Sequence, residues 1–311
     1  MKTFNISELK NSFLLFLFLL ILNETKAQQD PLYTQYLYNL SIVNPAYSSD
    51  REGLLNLGVL YRDQWGSVDG APKTFNAFVH IGVGKNIETG VSIVRDDIGD
   101  GALIEDNINA DFSYILQLTT YSKLSLGLKA GITNFKSDLT DFVTNDVLDP
   151  AFQNEPIINE SFGNIGVGAY YFNRRFFAGF SALNLLKAKH LRGVDDLINR
   201  GGEEAHYYLV SGYTFDINDD VLQLKPSVMM RGVKGAPLIL DLNLNAILYD
   251  KFELGVGYRT SESFVGMFNL RLNQRMRLGY AYDYALNALG DFGSGSHEFF
   301  LLLDLNLSRF N

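Results

Sequence analysis

From Lys123 to Thr133 the chain alternates without a break. Leu124, Leu126, Leu128, Ala130 and Ile132 fall on one parity, and Ser125, Gly127, Lys129, Gly131 and Thr133 on the other. A β-strand projects successive side chains to opposite faces, so this segment has one wholly apolar face and one polar face that carries a charge. The pattern recurs. Asn107 to Leu118 sets Ile108, Ala110, Phe112, Tyr114, Leu116 and Leu118 against Asn107, Asn109, Asp111, Ser113 and Gln117. Leu238 to Leu248 sets its aliphatic residues against Asp241, Asn243 and Asn245, with Ile239 and Ile247 on the same parity as these. Met276, Leu278, Tyr280, Tyr282 and Tyr284 oppose Arg277, Gly279, Ala281 and Asp283.

About 14 such strands are expected, centred near Val59, Ala77, Val91, Phe112, Leu128, Val167, Phe180, Leu209, Val228, Leu242, Val256, Phe268, Tyr280 and Leu301. Their polar faces carry Lys129, Asp241, Arg259, Arg271, Arg277, Asp283 and Asp304, which excludes a dry core on that side. A soluble sandwich also alternates, but here the apolar faces run long enough to cross a bilayer at a tilt. Many strands are also rimmed by aromatic residues: Tyr61, Trp65, Tyr114, Tyr121, Phe135, Tyr171, Tyr258 and Tyr284. Aromatic girdles mark the places where an outward apolar band meets lipid headgroups.

Connection lengths give a separate test. Gly82 to Asn86, Thr119 to Ser122, Asn173 to Arg175, Asp216 to Asp220, Tyr249 to Lys251 and Asn273 to Arg275 read as short turns. The intervening connections include long loops at Asn134 to Ser161, Asn184 to Ala205 and Ala285 to His297. Together these features predict an all-β fold: a closed antiparallel transmembrane β-barrel with short periplasmic turns and longer extracellular loops, in the outer membrane.

The first 27 residues read as a signal peptide. Lys2 and Lys10 form a positive start, Ser12 to Leu22 is an apolar run, and Thr25-Lys26-Ala27 resembles a cleavage site before Gln28. The apolar run is well short of the roughly 20 residues a spanning helix needs. Cleavage would leave 23 basic and 33 acidic residues, a net charge of −10. Residues 28–50 stand outside the alternation; with Tyr33, Tyr36, Tyr38, Tyr47, Pro31 and Pro45 they read as a periplasmic segment or a plug inside the lumen. Residues 51–311 are assigned to the barrel.

Chemistry is sparse. The chain has no cysteine, which removes thiolate metal sites, disulfides and cysteine nucleophiles. Its acidic balance argues against nucleic acid as a partner. His80, His190, His206 and His297 lack metal-ligand spacing, and Asp216 to Asp220 lacks the Gly and distal Glu of a calcium loop. Gly163, Gly166 and Gly168 precede no helix and read as close backbone approach or curvature in the barrel wall. Neither a catalytic residue nor a cofactor or metal site is expected. A passive porin-like or fatty-acid-channel-like solute transporter is one function that polar inner faces permit.

Particular motifs carry a resemblance. Gln28-Gln29-Asp30-Pro31-Leu32-Tyr33-Thr34-Gln35-Tyr36, Val43-Asn44-Pro45-Ala46-Tyr47, Arg62-Asp63-Gln64-Trp65 and Asp69-Gly70-Ala71-Pro72-Lys73-Thr74 lead in order to Gly127-Leu128-Lys129-Ala130-Gly131. His206-Tyr207-Tyr208, Leu224-Lys225-Pro226-Ser227, Gly235-Ala236-Pro237, Leu278 to Tyr284 and Ser294-Gly295-Ser296-His297-Glu298 follow. Together they resemble the PorP/SprF family; Ser48-Ser49 and Tyr38-Asn39-Leu40 depart from its usual pattern. The resemblance implies a non-enzymatic outer-membrane protein of the type IX secretion system, linked to gliding motility. Such a protein helps to export or anchor a large secreted surface protein such as a gliding adhesin.

The partners this implies are outer-membrane lipid, the C-terminal region of that surface protein, and periplasmic secretion or peptidoglycan-linked components. Within the loop from Asn184 to Ala205, the apolar Leu185, Leu186, Leu191, Leu197 and Ile198 are the expected partner-binding residues, because a merely solvated loop has no need of them.

Overall fold

The computed structural model describes residues 33–49, 52–138, 140, 157–186, 204–218, 221–260, 263–286 and 294–307. The expected signal peptide lies outside them. Among the described residues, fifteen strands follow two short 3-10 turns at Tyr36–Tyr38 and Leu40–Ile42. They are β1 (Leu54–Asp63), β2 (Lys73–Val83), β3 (Ile87–Ile98), β4 (Leu103–Gln117), β5 (Ser122–Asp138), β6 (Ile157–Asn173), β7 (Phe176–Leu183) and β8 (His206–Tyr213). Then come β9 (Phe215–Asn218), β10 (Leu222–Val233), β11 (Ile239–Leu248), β12 (Phe252–Arg259), β13 (Ser263–Asn273), β14 (Met276–Ala285) and β15 (Ser296–Asn306).

All pairings are antiparallel between neighbours, and β1 pairs with β15 from Leu54↔Asn306 to Asp63↔His297, which closes the barrel. Strands β8 and β9 are two pieces of one wall position. Both pair with β10, and they are separated only at Thr214, whose N–H bonds to the Arg175 carbonyl. The wall is therefore 14-stranded, and each of the 14 expected centres falls within a strand. Closure leaves no sheet edge unpaired, the condition for backbone inside lipid.

The faces are inverted relative to a soluble protein. Outward positions such as Ile93, Ile108, Phe112, Leu126, Leu128, Ile132, Leu244 and Val256 are exposed. Inward positions such as Ser92, Asp111, Ser125, Thr133, Asp241, Asn245 and Asp283 are buried. Tyr61, Tyr114, Tyr121, Tyr258 and Tyr284 point outward as girdle residues should, but Phe135 does not. It lies on the Ser125–Thr133 parity and is buried in the lumen, so its place in the girdle is corrected by the same alternation that defines β5.

One end of the barrel carries short connections throughout. At one of them, Tyr249 and Asp250 both take positive φ, the conformation of a tight hairpin turn with the right strand twist. The other end carries the long connections. There β5 and β6 stay paired as far as Asp138↔Ile157, so the hairpin reaches beyond the expected loop boundary at Asn134 and Ser161.

Candidate functional site

The polar inner wall needs partners, and residues 33–49 supply them. This segment sits inside the barrel: Tyr33, Thr34, Gln35, Tyr36, Asn39, Leu40, Ser41, Val43, Asn44 and Ala46 are all buried. Its direction is set by its contacts. Thr34 and Gln35 meet Asp283 and Glu298, near the loop ends of β14 and β15. Ser48 and Ser49 meet Glu88, beside the short turn that opens β3. The segment thus runs from the loop end to the turn end before the chain enters β1.

Its upper anchor is a cluster of buried charge. Arg62 pairs with Asp283 at 2.8 Å and with Glu298 at 3.2 Å, and Arg259 pairs with Asp241 at 2.6 Å. Between these pairs, the Thr34 hydroxyl donates to the Asp283 carboxylate and accepts from the Arg62 guanidinium at 2.9 Å. The backbone N–H groups of Thr34 and Gln35 donate to the two oxygens of Glu298, at 2.9 and 2.7 Å. A buried carboxylate that accepts two backbone N–H bonds and an ion pair is well satisfied, which is what keeps a charge tolerable out of water.

The middle of the segment is fitted by absence of side chain. A Cβ at Gly127 would collide with the backbone of Pro45 and Ala46, and one at Gly168 with the side chain of Asn44. Asn44 also donates to the Ala169 carbonyl at 3.1 Å, and Ser181 donates to the Val43 carbonyl. Gly166, by contrast, is close to Leu183 across the wall, and Gly163 has nothing nearer than 4.0 Å. Close approach to a neighbouring residue is thus found at Gly168 and Gly166 and not at Gly163.

The tyrosines fill the remaining width. Asn243 donates to the Tyr36 hydroxyl at 3.2 Å. The Tyr38 hydroxyl donates to Glu253, with the Arg277 guanidinium 4.9 Å above its ring. Both phenols thus serve as hydrogen-bonding groups in the lumen.

Among the described residues, two cavities in the lumen share no lining residue. A small one of about 70 Å³ lies toward the loop end among Asn107, Asn109, Lys129, Asn164, Asn184 and Tyr208. A larger one of about 350 Å³ lies toward the turn end, with Leu37, Tyr38, Asn39 and Ser41 along its inner side. Residues 33–49 stand between them.

Of the expected partner-binding residues, Leu185 and Leu186 come after Asn184, just beyond β7 at the loop end. Leu186 is exposed, whereas Leu185 is half-buried and its N–H bonds to the Ile165 carbonyl. Leu191, Leu197 and Ile198 lie outside the described residues. Parity predicted that Asp283 and Arg259 face inward, but the joining of Arg62, Asp283 and Glu298 around Thr34 was not anticipated. The available signal was that all three charges sit on inward parity near strand ends that pair with one another.

Comparison with solved structures returns outer-membrane barrels. A TodX deletion mutant, described as a monoaromatic hydrocarbon channel, is 11% identical with a TM-score of 0.50, over 85% of this chain and 93% of that one. A Pseudomonas aeruginosa FadL homologue is 13% identical with a TM-score of 0.48, over 85% and 93%. The Acinetobacter baumannii protein Omp33 is 10% identical with a TM-score of 0.47, over 83% and 100%. At such identities the likeness is one of fold. No curated protein matched. A family model does match, over residues 25–303, nearly the whole of the barrel and the segment inside it. The chain belongs to the PorP/SprF family of type IX secretion system membrane proteins, and its place is the outer membrane.

Proposed function

We propose that the protein is a non-catalytic scaffold of the type IX secretion and gliding machinery, which helps to export or anchor a large secreted surface protein. The observation that carries this reading is the filled lumen. Residues 33–49 cross the barrel from one end to the other, tied to buried carboxylates at both. A porin needs a continuous aqueous path, and a scaffold needs only a rigid wall that presents its loops. In this reading the turn end faces the periplasm, the loop end faces outward, and the surface protein's C-terminal region engages the connection after β7. The apolar residues Leu185, Leu186, Leu191, Leu197 and Ile198 would serve as desolvated anchors there.

The test replaces Leu191 to Ile198 with a short Gly-Ser turn and follows two quantities. Heat-modifiability reports the folded barrel, and immunoblots of cells and medium report the surface protein. The expected result is an intact barrel with the partner released into the medium. Full retention of the partner by a folded variant would remove this loop from the binding role. Steady ion conductance by the purified wild-type barrel in a planar bilayer would favour a solute channel instead.

A further inference from the structure

The cavity at the turn end is lined by more positive charge than its surroundings explain. In a chain of net charge −9, four cations converge there: Lys225, Arg271, Arg275 and Arg277. Two of these are directly opposed, since Arg271 on β13 is the cross-strand partner of Arg277 on β14, both on the inward parity. Like charges in that relation are destabilising unless an anion lies between or beside them. Each has one carboxylate partner, and Arg277 also lies over the Tyr38 ring. Arg271 reaches Asp250 in an exposed turn, and Arg277 reaches Glu253 at 3.4 Å. Glu253 is already occupied by Tyr38 and Asn245.

The other two cations form no salt bridge among the described residues. Lys225 feels the charge of Glu253, and its ammonium stands 5.8 Å from the centre of the Phe177 ring. Arg275 stands at the β13–β14 turn, where its backbone N–H donates to Asn273 and its carbonyl accepts from the Asp304 N–H. The carboxylates that line the cavity, Glu88 and Asp304, are held by Ser48, Ser49 and Asn56. The volume of about 350 Å³ lies within the roughly 300–1,000 Å³ of ordinary ligand sites.

We propose that this vestibule binds an acidic segment of a periplasmic protein, whose carboxylates seat between the Arg271–Arg277 pair and Lys225. Arginine guanidinium groups form two-point contacts with carboxylates, and a lysine deeper in the site supplies a point charge. Charge spread from the rim at Arg275 to the depth of Lys225 suits a chain with several carboxylates better than one compact anion. The Asn273 side chain, whose Oδ1 accepts from the Arg275 N–H, adds amide N–H donors for its backbone. The assignment of this ligand to the periplasm rests on the orientation given above, but the binding chemistry does not.

The experiment uses the full-length barrel in detergent micelles, where both ends are accessible. Fluorescence anisotropy would follow a labelled hexaglutamate peptide, with hexaglutamine as the neutral control and inorganic phosphate as the small-anion competitor. The expected result is saturable, salt-sensitive binding of hexaglutamate alone, weakened about tenfold by Lys225→Met and further by Arg275→Gln. Neither cation holds a carboxylate in a salt bridge, so both variants should keep the heat-modifiable barrel. Absence of saturable binding, or unchanged binding in the folded double variant, would overturn the proposal. Displacement of the peptide by phosphate at equal concentration would overturn it too, in favour of a small-anion site.

Discussion

Glu298→Gln isolates the anchor that holds residues 33–49 inside the barrel. Glu298 is fully buried and uses both carboxylate oxygens on the segment, one for the Thr34 N–H and one for the Gln35 N–H, while pairing with Arg62. Glutamine preserves the volume but turns one oxygen into an amide donor, which faces a backbone N–H that needs an acceptor. Hydrogen bonds to a charged group contribute roughly 1.5–3 kcal/mol each, and removing one member of a buried ion pair costs roughly 3–5 kcal/mol. Arg62 keeps Asp283 at 2.8 Å, so the cost should stay near the lower end of that range. A penalty of about 3 kcal/mol, at about 1.4 kcal/mol per tenfold, raises the local opening constant by roughly two powers of ten. Amide hydrogen exchange on the folded barrel in micelles measures this directly. Protection over residues 33–36 should fall by that factor, while β1 from Leu54 to Asp63 stays as in the wild type. Wild-type protection at Thr34 and Gln35 in a folded variant would refute the anchor.

Gly127→Val should disturb the same segment from its middle, since the new side chain meets the Pro45–Ala46 backbone; overpacking of about 1–3 kcal/mol would appear as faster exchange over residues 43–47 in a barrel that still forms. Leu126→Arg should hinder assembly, because Leu126 faces lipid and an Arg there costs roughly 2–4 kcal/mol at the midplane. The yield of heat-modifiable barrel in outer membranes reads this out, and a wild-type yield would contradict the outward face of β5. Cysteines at Asp69 and Asp100 should react with an impermeant maleimide on intact cells, and cysteines at Lys85 and Lys251 should not. The native chain has no cysteine to confuse the labelling, and the reverse pattern would invert the orientation.

The barrel was legible in the sequence because lipid outside and polar groups inside impose a strict two-residue period. Wherever that period runs unbroken, parity alone assigns a face: Leu126 outward, Ser125 inward, and Phe135 inward against the pull of its aromatic character. The loop-length alternation was legible for a similar reason, since hairpins need few residues at their turn end. Parity also placed Lys129, Asp241, Arg259 and Asp283 in the lumen, but it says nothing of what they touch. Residues 28–50 follow no period, and their tyrosines and prolines fit a periplasmic segment as well as a plug. Only the tertiary structure decided where residues 33–49 lie, because the contacts that hold them join positions as far apart as Thr34 and Glu298, 264 residues along the chain. Such pairs become neighbours only once β15 closes on β1, and it is that closure that brings Arg62 and Glu298 together around Thr34.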